Sequence, residues 1–310
     1  MMTPPASENS RAAALMTGSM AFFAVEDIFL KRAAEALPPG EVLALTGGVG
    51  ALVFWLLAAR QRQRVLSMDA LRGAALVRSL AEAGAAMLYI VALALAPLSL
   101  TAALLQASPL VVVAGAALFL GETVGWRRWA SVVAGFIGVL VILSPWDADF
   151  DPTGLLTVAC VFVLAVRDLA TRVMPERIGT FQVAAWAYLG LVPSGLLLMG
   201  IMGQGFAWPT PMQWAGLGGA LVAGLFGYYA VVAAMRLGEV SVVAPFRYTR
   251  LVFSVALAMI FFAERPGLST YVGAAIVVGS GLYALARERI RRRKAAQMAE
   301  SRLFLETKDG

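Results

Sequence analysis

Residues 95–122 read LAPLSLTAALLQASPLVVVAGAALFLGE, and residues 237–264 read LGEVSVVAPFRYTRLVFSVALAMIFFAE. The two stretches align without a gap, so that Ser99 pairs with Ser241 and both stretches close on a glutamate. Each contains an apolar run of roughly 20 residues, the length that a helix needs to cross a bilayer. The repeat therefore predicts a chain made of two homologous, membrane-embedded halves.

Apolar runs of membrane-crossing length fill the chain on both sides of this repeat. Hydrophobic residues make up 60% of the sequence and charged residues only 14%, which is too little charge to cover a water-soluble protein. Lipid offers no partner to backbone polar groups, and the runs are too continuously apolar for barrel strands, so they are predicted to be helices. The ten predicted spans are residues 12–30, 42–59, 74–96, 99–119, 126–144, 155–172, 181–202, 212–235, 240–262 and 268–286.

The two halves are predicted to be inverted relative to each other. Each holds five spans, in residues 1–145 and 155–286, and because five is odd, equivalent spans run in opposite directions. Inverted repeats typically enclose a transporter's substrate site near the bilayer midplane, although a duplication kept only for packing is the alternative. The predicted fold is an all-α membrane protein with ten transmembrane helices, arranged as two inverted five-helix repeats around a central cavity.

Basic residues are unevenly distributed among the connections. Under the positive-inside rule, this distribution places both termini in the cytoplasm. The pI of 9.8 and net charge of +6 then reflect membrane topology, and nucleic acid is not an expected partner. Residues 287–310 are predicted to be a basic cytoplasmic tail that faces anionic lipid, disordered over 301–310. The residues that decide the orientation are Arg60, Arg62, Arg64, Arg72, Arg127, Arg128, Arg172, Arg177, Arg236, Arg287, Arg289, Arg291, Arg292, Arg293 and Lys294.

Prolines interrupt two equivalent spans. Pro109 in span four and Pro245 in span nine each remove a backbone donor, which favours a kink at that point. Hinges and static packing are both compatible with such kinks.

One segment occurs in both halves: an apolar span, then Gly-Glu or Ala-Glu, a turn, an aromatic residue and a glycine-rich span. It reads FLGETVGWRRWASVVAGFIGVLVIL over 119–143 and FFAERPGLSTYVGAAIVVGSGLYAL over 261–285. The pattern resembles the EamA branch of the drug/metabolite transporter superfamily. Within it, MAFFAVEDIFLKRAA (20–34) and SLTAALLQASPL (99–110) are most similar to the YddG-type exporters of aromatic amino acids. The resemblance implies a basket-shaped bundle that exports aromatic and other neutral amino acids across a bacterial inner membrane.

Charged residues inside the spans are candidates for a gate, because a charge near the centre of a bilayer costs about 3 kcal/mol or more. Asp27 and Asp168 are equivalent in the repeat, and each has a basic residue four positions later, Lys31 and Arg172 respectively. We expect an inner gate of ion pairs and similar pairs at the outer mouth; fixed intrahelical pairs and snorkelling arginines are the alternatives. The candidate gate or coupling residues are Arg78, Glu82, Glu26, Asp27, Asp168 and Arg247, with Arg167 and Arg250 also at the inner depth.

A zwitterionic amino acid needs partners for its carboxylate and its ammonium group, and an apolar or aromatic wall for its side chain. Gln106 in span four offers both a donor and an acceptor. Aromatic side chains within the spans offer rings and hydroxyl groups, with ordinary helix packing as the alternative role. The candidate cavity residues are Gln106, Tyr89, Trp186, Tyr229 and Tyr248.

Several classes of function lack their characteristic residues. The sequence has no histidine, a single cysteine (Cys160) and no P-loop, so an enzyme, a metal site, a cofactor and direct ATP use are not expected. We expect a small-molecule substrate, the lipid bilayer as the other partner, and a monomer or weak homodimer. The alternative is an exporter of cationic drugs by proton antiport, with Glu82, Glu26 or Asp168 carrying the proton. Facilitated diffusion and proton coupling both stay open.

Overall fold

The computed structural model describes residues 6–122, 124–148, 150–175, 177–238 and 240–308, and within them the chain is helical, with no strand. Among these residues, ten helices are long and apolar enough to span a membrane. The helices are α1 (Ala6–Ala36), α2 (Pro39–Arg60), α3 (Gly73–Leu95), α4 (Leu98–Leu105), α5 (Ser108–Phe119), α6 (Trp126–Leu143), α7 (Gly154–Arg172), α8 (Thr180–Met202), α9 (Pro211–Leu237), α10 (Val240–Val243), α11 (Thr249–Phe262) and α12 (Leu268–Lys308). Two 3₁₀ turns lie at Met68–Leu71 and Ala244–Tyr248.

Helix ends follow local sequence signals. α9 begins with a capping box, in which the Thr210 hydroxyl accepts from Gln213 N and the Gln213 side chain accepts from Thr210 N. α8 ends at Gly203, whose φ of 64° is a left-handed conformation that glycine adopts without strain. These signals set the lengths of the spans and therefore the depth of each side chain in the membrane.

Spans four and nine are both broken at the predicted prolines. α4 ends at Leu105 and α5 restarts at Ser108 with Pro109 in its first turn, while the 3₁₀ turn Ala244–Tyr248 separates α10 from α11. Proline cannot donate the next hydrogen bond of the helix, so a new turn begins at each site. The two breaks touch, because the Gln106 side-chain amide donates to the Tyr248 carbonyl oxygen over 3.2 Å. The repeat alignment pairs these same two residues, so the contact marks the pseudo-twofold axis.

Helix packing follows the repeat. α2 packs against α8 and α6 against α12, and each pair consists of repeat-related helices. α1 packs against α9 as its counterpart α7 packs against α3. Glycines permit the close contacts: a Cβ on Gly138 would lie 2.9 Å from the Gly273 carbonyl oxygen, and one on Gly273 would lie 2.6 Å from that of Gly138. The glycines of α6 and α12 therefore allow these two helices of the same chain to pack closely against each other.

The twofold relation does not extend to every pair of helices. α1 packs against α3, and α4 against α11, but in the described part of the chain the equivalent pairs, α7 with α9 and α5 with α10, make no comparable contact. The bundle is closed where α1, α3, α4 and α11 meet, and it is less closely packed at the equivalent place in the other half.

The predicted disorder of residues 301–310 is wrong as far as residue 308, because α12 continues as one helix to Lys308. Residues 287–308 contain no glycine or proline and are rich in arginine, alanine, glutamate and leucine, all strong helix formers. The side chains of 291–308 and the residues 309–310 lie outside the part of the chain that the structure describes.

Candidate functional site

A buried ion pair joins the two halves of the chain. The Asp27 side chain on α1 is only 2% exposed, and its carboxylate accepts from Arg250 Nη2 at 2.8 Å and from the Tyr89 hydroxyl at 2.6 Å. Arg250 also donates to the second Asp27 oxygen, at 2.9 Å. We call Asp27, Tyr89 and Arg250 the Asp27 cluster; it connects α1, α3 and α11.

This cluster corrects two sequence-based predictions. Arg250 was expected with the inner charges, but its side chain binds Asp27 instead. Depth had been counted along a continuous span nine, whereas the chain is broken just before α11. Lys31 was expected to pair with Asp27; its ammonium group lies 3.1 Å from the Glu35 carboxylate instead.

Lys31 and Glu264 hold one end of the bundle together. The Lys31 ammonium donates to the carbonyl oxygens of Leu93 at 2.9 Å and Ala96 at 2.8 Å, and the residue is 5% exposed. Glu264 accepts from Leu98 N at 2.6 Å, and from Ser99 N and Ser99 Oγ at 2.9 and 2.6 Å. A carboxylate at a helix N-terminus binds free N–H groups and the positive end of the helix dipole.

We call this end, defined by Lys31, Glu264 and the turn between α3 and α4, the latched end. The repeat counterparts of its two anchors are arranged differently. Glu122, the counterpart of Glu264, pairs with Arg172, the counterpart of Lys31, at 3.0 Å, and the two side chains are 39% and 46% exposed. We call the end that holds Glu122 and Arg172 the open end. Asp168 was expected to reach Arg172; it pairs with its neighbour Arg167 instead.

A network of ion pairs connects α3 and α7. The Glu82 carboxylate lies 3.3 Å from Arg78 Nη2 and 3.2 Å from Arg167 Nη1. Arg167 also pairs with Asp168 at 2.8 Å, and Arg78 Nε donates to the Thr171 hydroxyl at 3.1 Å. The sequence grouped these four charged residues, and the structure brings them into contact. All four are partly exposed, as expected for side chains beside water rather than lipid.

Glu26 and Arg247, two of the candidate gate residues, have no hydrogen bond or ion pair to any described residue. Glu26, partly exposed on α1, lies against α9: a Cβ on Gly224 would be 2.5 Å from its carboxylate. Arg247, exposed in the 3₁₀ turn of span nine, has Asp168, Arg167 and Arg250 as electrostatic neighbours. An intramembrane charge without a protein partner marks a place for a ligand or a coupling ion. The two have opposite signs and come from different halves of the chain.

The predicted cavity residues have different environments. Gln106 is bound to the Tyr248 carbonyl on the pseudo-twofold axis, and Tyr89 belongs to the Asp27 cluster. Tyr248 is 7% exposed, and its ring packs so closely on Gly281 that no side chain would fit there. Tyr248 is therefore a packing residue between span nine and α12.

The other two predicted cavity residues, Trp186 and Tyr229, have environments that favour other roles. Trp186 is 6% exposed, and its indole N–H donates to the Val65 carbonyl at 2.6 Å, within an apolar cluster around Phe54. Tyr229 is 71% exposed and lies on the face of α9 opposite Gly227, which packs against α1. It faces the lipid.

Two tyrosines near the charged groups were missed. Tyr228, the neighbour of Tyr229, has its ring 5.1 Å from that of Phe54, and the ring of Tyr188 is 5.1 Å from the same phenylalanine. Both interact electrostatically with acidic or basic residues of the site, Tyr188 with Glu26 and Tyr228 with Arg78. The glycines of α9 could have revealed this, because they mark the face that packs against α1 and so orient Tyr228 inward.

Ten membrane-length helices in two matching halves, with charged side chains gathered between the halves, define a multi-pass membrane protein of the transporter class. The chain belongs to the EamA-like transporter family, whose pattern matches twice, at residues 10–144 and 152–285. This family lies within the drug/metabolite transporter superfamily and is composed of transporters rather than enzymes.

Several curated relatives match most of the chain. A riboflavin transporter of Rhizobium johnstonii is 33% identical, and the match covers 67% of this chain and 68% of the relative. An S-adenosylmethionine uptake transporter of Rickettsia prowazekii is 27% identical, with 64% of this chain and 66% of the relative covered. A pseudopaline exporter of Pseudomonas aeruginosa is 26% identical, with 83% of this chain and 89% of the relative covered. These names do not concern aromatic amino acids, so the family is confirmed and the finer resemblance to YddG-type exporters is not.

A solved protein structure has the same fold. It superposes with a TM-score of 0.62 at 22% identity, covering 91% of this chain and 98% of its own.

Proposed function

We propose that this protein is a secondary transporter that moves a small organic metabolite across a bacterial inner membrane by alternating access between its two halves. One observation carries the proposal: repeat-related residues occupy different arrangements at the two ends. Glu264 binds the N-terminus of α4, whereas Glu122 pairs with the exposed Arg172. A scaffold of two inverted halves that is closed at one end can close at the other by exchanging these roles.

The exchange can be stated for particular residues. In the second state, Glu122 takes the N-terminus of α10, the counterpart of α4, and Arg172 takes the carbonyl oxygens that correspond to those now bound by Lys31. The Asp27 cluster opens with the latched end, because it joins α1 to α11. If both termini lie in the cytoplasm, as the positive-inside rule predicts, the latched end faces outward and the open end faces the cytoplasm.

The substrate that fits the two unpartnered charges carries a cation and an anion. Glu26 would bind an ammonium or sulfonium group, Arg247 would bind a carboxylate, and Tyr188 and Tyr228 would border a ring. Aromatic amino acids, the substrates expected from the sequence, meet this description. So does S-adenosylmethionine, the substrate named for one relative, whereas riboflavin provides the ring without the charges.

Transport by purified protein in liposomes tests this proposal. Vesicles loaded with labelled tryptophan, S-adenosylmethionine or riboflavin report efflux of each compound. We expect saturable efflux of a zwitterion, at least tenfold slower in Glu26→Gln and in Arg247→Gln, because each loses one charge-assisted contact. Tyr229→Phe, on the lipid face, serves as the matched control and should match wild type. The zwitterion assignment would be contradicted if the zwitterions showed no efflux and riboflavin left at the same rate from vesicles with wild type, Glu26→Gln and Arg247→Gln.

Export of a cation coupled to protons is the second candidate, and the unpartnered carboxylate of Glu26 favours it. A carboxylate that binds either a proton or a cation, reached from each side in turn, is enough for antiport. An imposed pH gradient should then accelerate efflux of a cationic dye from wild-type vesicles, and Glu26→Gln should remove the acceleration. A dye flux that does not respond to the gradient excludes this candidate.

A further inference from the structure

A groove of about 340 Å³ runs along the seam between α6 and α12, away from the charged site. Its lining includes Ala130 and Ala134 on one helix, and Ile276 and Tyr283 on the other. The two serines that line it are satisfied within their own helices: Ser131 donates to the Arg127 carbonyl and Ser280 to that of Val277. Because both hydroxyls are already hydrogen-bonded, the groove offers a mainly apolar surface to a ligand.

The groove ends at basic and aromatic side chains. Trp126 and Arg127 form its mouth at the start of α6, with the Arg127 guanidinium 5.3 Å from the centre of the Trp126 ring. Arg287 lies one turn beyond Tyr283 on the same face of α12. Neither arginine has an ion pair among the described residues. The mouth thus offers two positive charges and a tryptophan, a residue typical of the headgroup region.

We propose that this groove binds one anionic glycerophospholipid, with the phosphate between Arg127 and Arg287 and an acyl chain along the seam. The residues Arg127 to Ala134 extend about 10 Å along α6, which suits the upper part of an acyl chain. A basic pocket between transmembrane helices is a known kind of anionic lipid site. The charges distinguish this occupant from a zwitterionic lipid, because only an anionic headgroup leaves net negative charge for two arginines.

A second copy of the chain is a poorer occupant. A twofold dimer uses the same patch on both subunits, so Arg127 would approach its own equivalent. Like charges brought together in this way oppose association. In such a dimer two concave grooves would face each other, and neither copy would present a protruding surface to fill the groove of the other.

Native mass spectrometry of the full chain in detergent tests the site. Dioleoyl phosphatidylglycerol and dioleoyl phosphatidylcholine are titrated against wild type and against the double variant Arg127→Gln/Arg287→Gln. We expect one phosphatidylglycerol to be retained in preference to phosphatidylcholine, and its affinity to fall about fivefold for each arginine removed. The matched control is Arg60→Gln/Arg62→Gln, two exposed basic residues at the end of α2, which should leave the preference intact.

A second variant tests the groove without changing charge. Ala130→Phe, at an exposed position, should fill the groove and reduce binding of both lipids while the basic mouth remains. Three results would overturn the proposal: equal retention of the two lipids by wild type, equal losses in the two arginine pairs, or lipid binding unaffected by Ala130→Phe. A dimer that Ala130→Phe dissociates would assign the face to a second copy instead.

Discussion

Replacing Glu264 by glutamine should release the latched end. The carboxylate accepts three hydrogen bonds, from Leu98 N, Ser99 N and Ser99 Oγ, at 2.6, 2.9 and 2.6 Å. A hydrogen bond to a charged group contributes about 1.5–3 kcal/mol, and the helix dipole adds about 0.3–1 kcal/mol for a carboxylate at this position. Glutamine keeps the shape and one acceptor oxygen but loses the charge. We therefore expect the latched state to lose about 2–3 kcal/mol, which corresponds to a shift of about 30- to 150-fold in the ratio of the two states.

The assay is the reactivity of a single cysteine in a Cys160→Ala background. Ala96→Cys places the probe in the turn between α3 and α4, at a position 1% exposed while the end is latched. Val173→Cys, at an exposed position beside Arg172, reports on the open end. In the Glu264→Gln variant, Ala96→Cys should react about 30-fold faster or more, and Val173→Cys more slowly.

Glu122→Gln is the matched control, because it makes the same chemical change at the repeat-related position. Its ion pair with Arg172 is exposed, and such pairs contribute about 1 kcal/mol or less. We expect less than about a fivefold change at either probe. If Ala96→Cys reacts no faster in Glu264→Gln than in Glu122→Gln, the carboxylate at the helix N-terminus does not hold the end closed, and the argument for exchange between the two glutamates is refuted.

Three further outcomes follow from the contacts described. Asp27→Asn should destabilise the protein by about 3 kcal/mol, since it leaves Arg250 without its buried counterion, and the double variant with Arg250→Gln should recover part of the loss in a thermal unfolding assay. Trp186→Phe should lower stability by about 1 kcal/mol through the lost hydrogen bond to Val65 while efflux is unchanged; a loss of efflux at normal stability would return Trp186 to the cavity. Tyr229→Ala should leave both stability and efflux within error of wild type, and a fall in efflux would show that the residue does not face only lipid.

The spans were predictable because they depend on one physical requirement, an apolar run long enough to cross a bilayer. Such runs can be located directly in the sequence. The ten predicted segments differ from the observed helices by a few residues at most ends, apart from the extensions of α1 and α12. The breaks in spans four and nine were predictable for a similar reason, since a proline acts on its own turn of helix.

Contacts between spans were harder to predict, because they depend on rotation and depth rather than length. Arg250 illustrates depth: its side chain reaches Asp27 on a distant span once the chain has broken before α11. Tyr228 and Tyr229 illustrate rotation, since neighbours on a helix point about 100° apart and only one of them faces inward. The helix cap formed by Glu264 needs both: its partners lie more than 160 residues away, at an N-terminus that only the folded bundle presents to it.

The hydrogen bond between Gln106 and Tyr248 would make the two end states of the proposed alternating-access cycle unequal in energy. Gln106 and Tyr248 are equivalent positions of the repeat and lie on the pseudo-twofold axis. If the two halves had identical sequences, the two end states would be equal in energy. In this structure the Gln106 side-chain amide donates to the Tyr248 backbone carbonyl. The mirror-image bond would run from the Tyr248 side chain to the Gln106 backbone carbonyl, but the Tyr248 ring packs against Gly281. The buried Tyr248 hydroxyl has no hydrogen-bond partner among the described residues, so the mirror-image bond is not made in this structure. In the proposed alternating-access cycle, this difference at the axis would favour one end state of the empty carrier over the other.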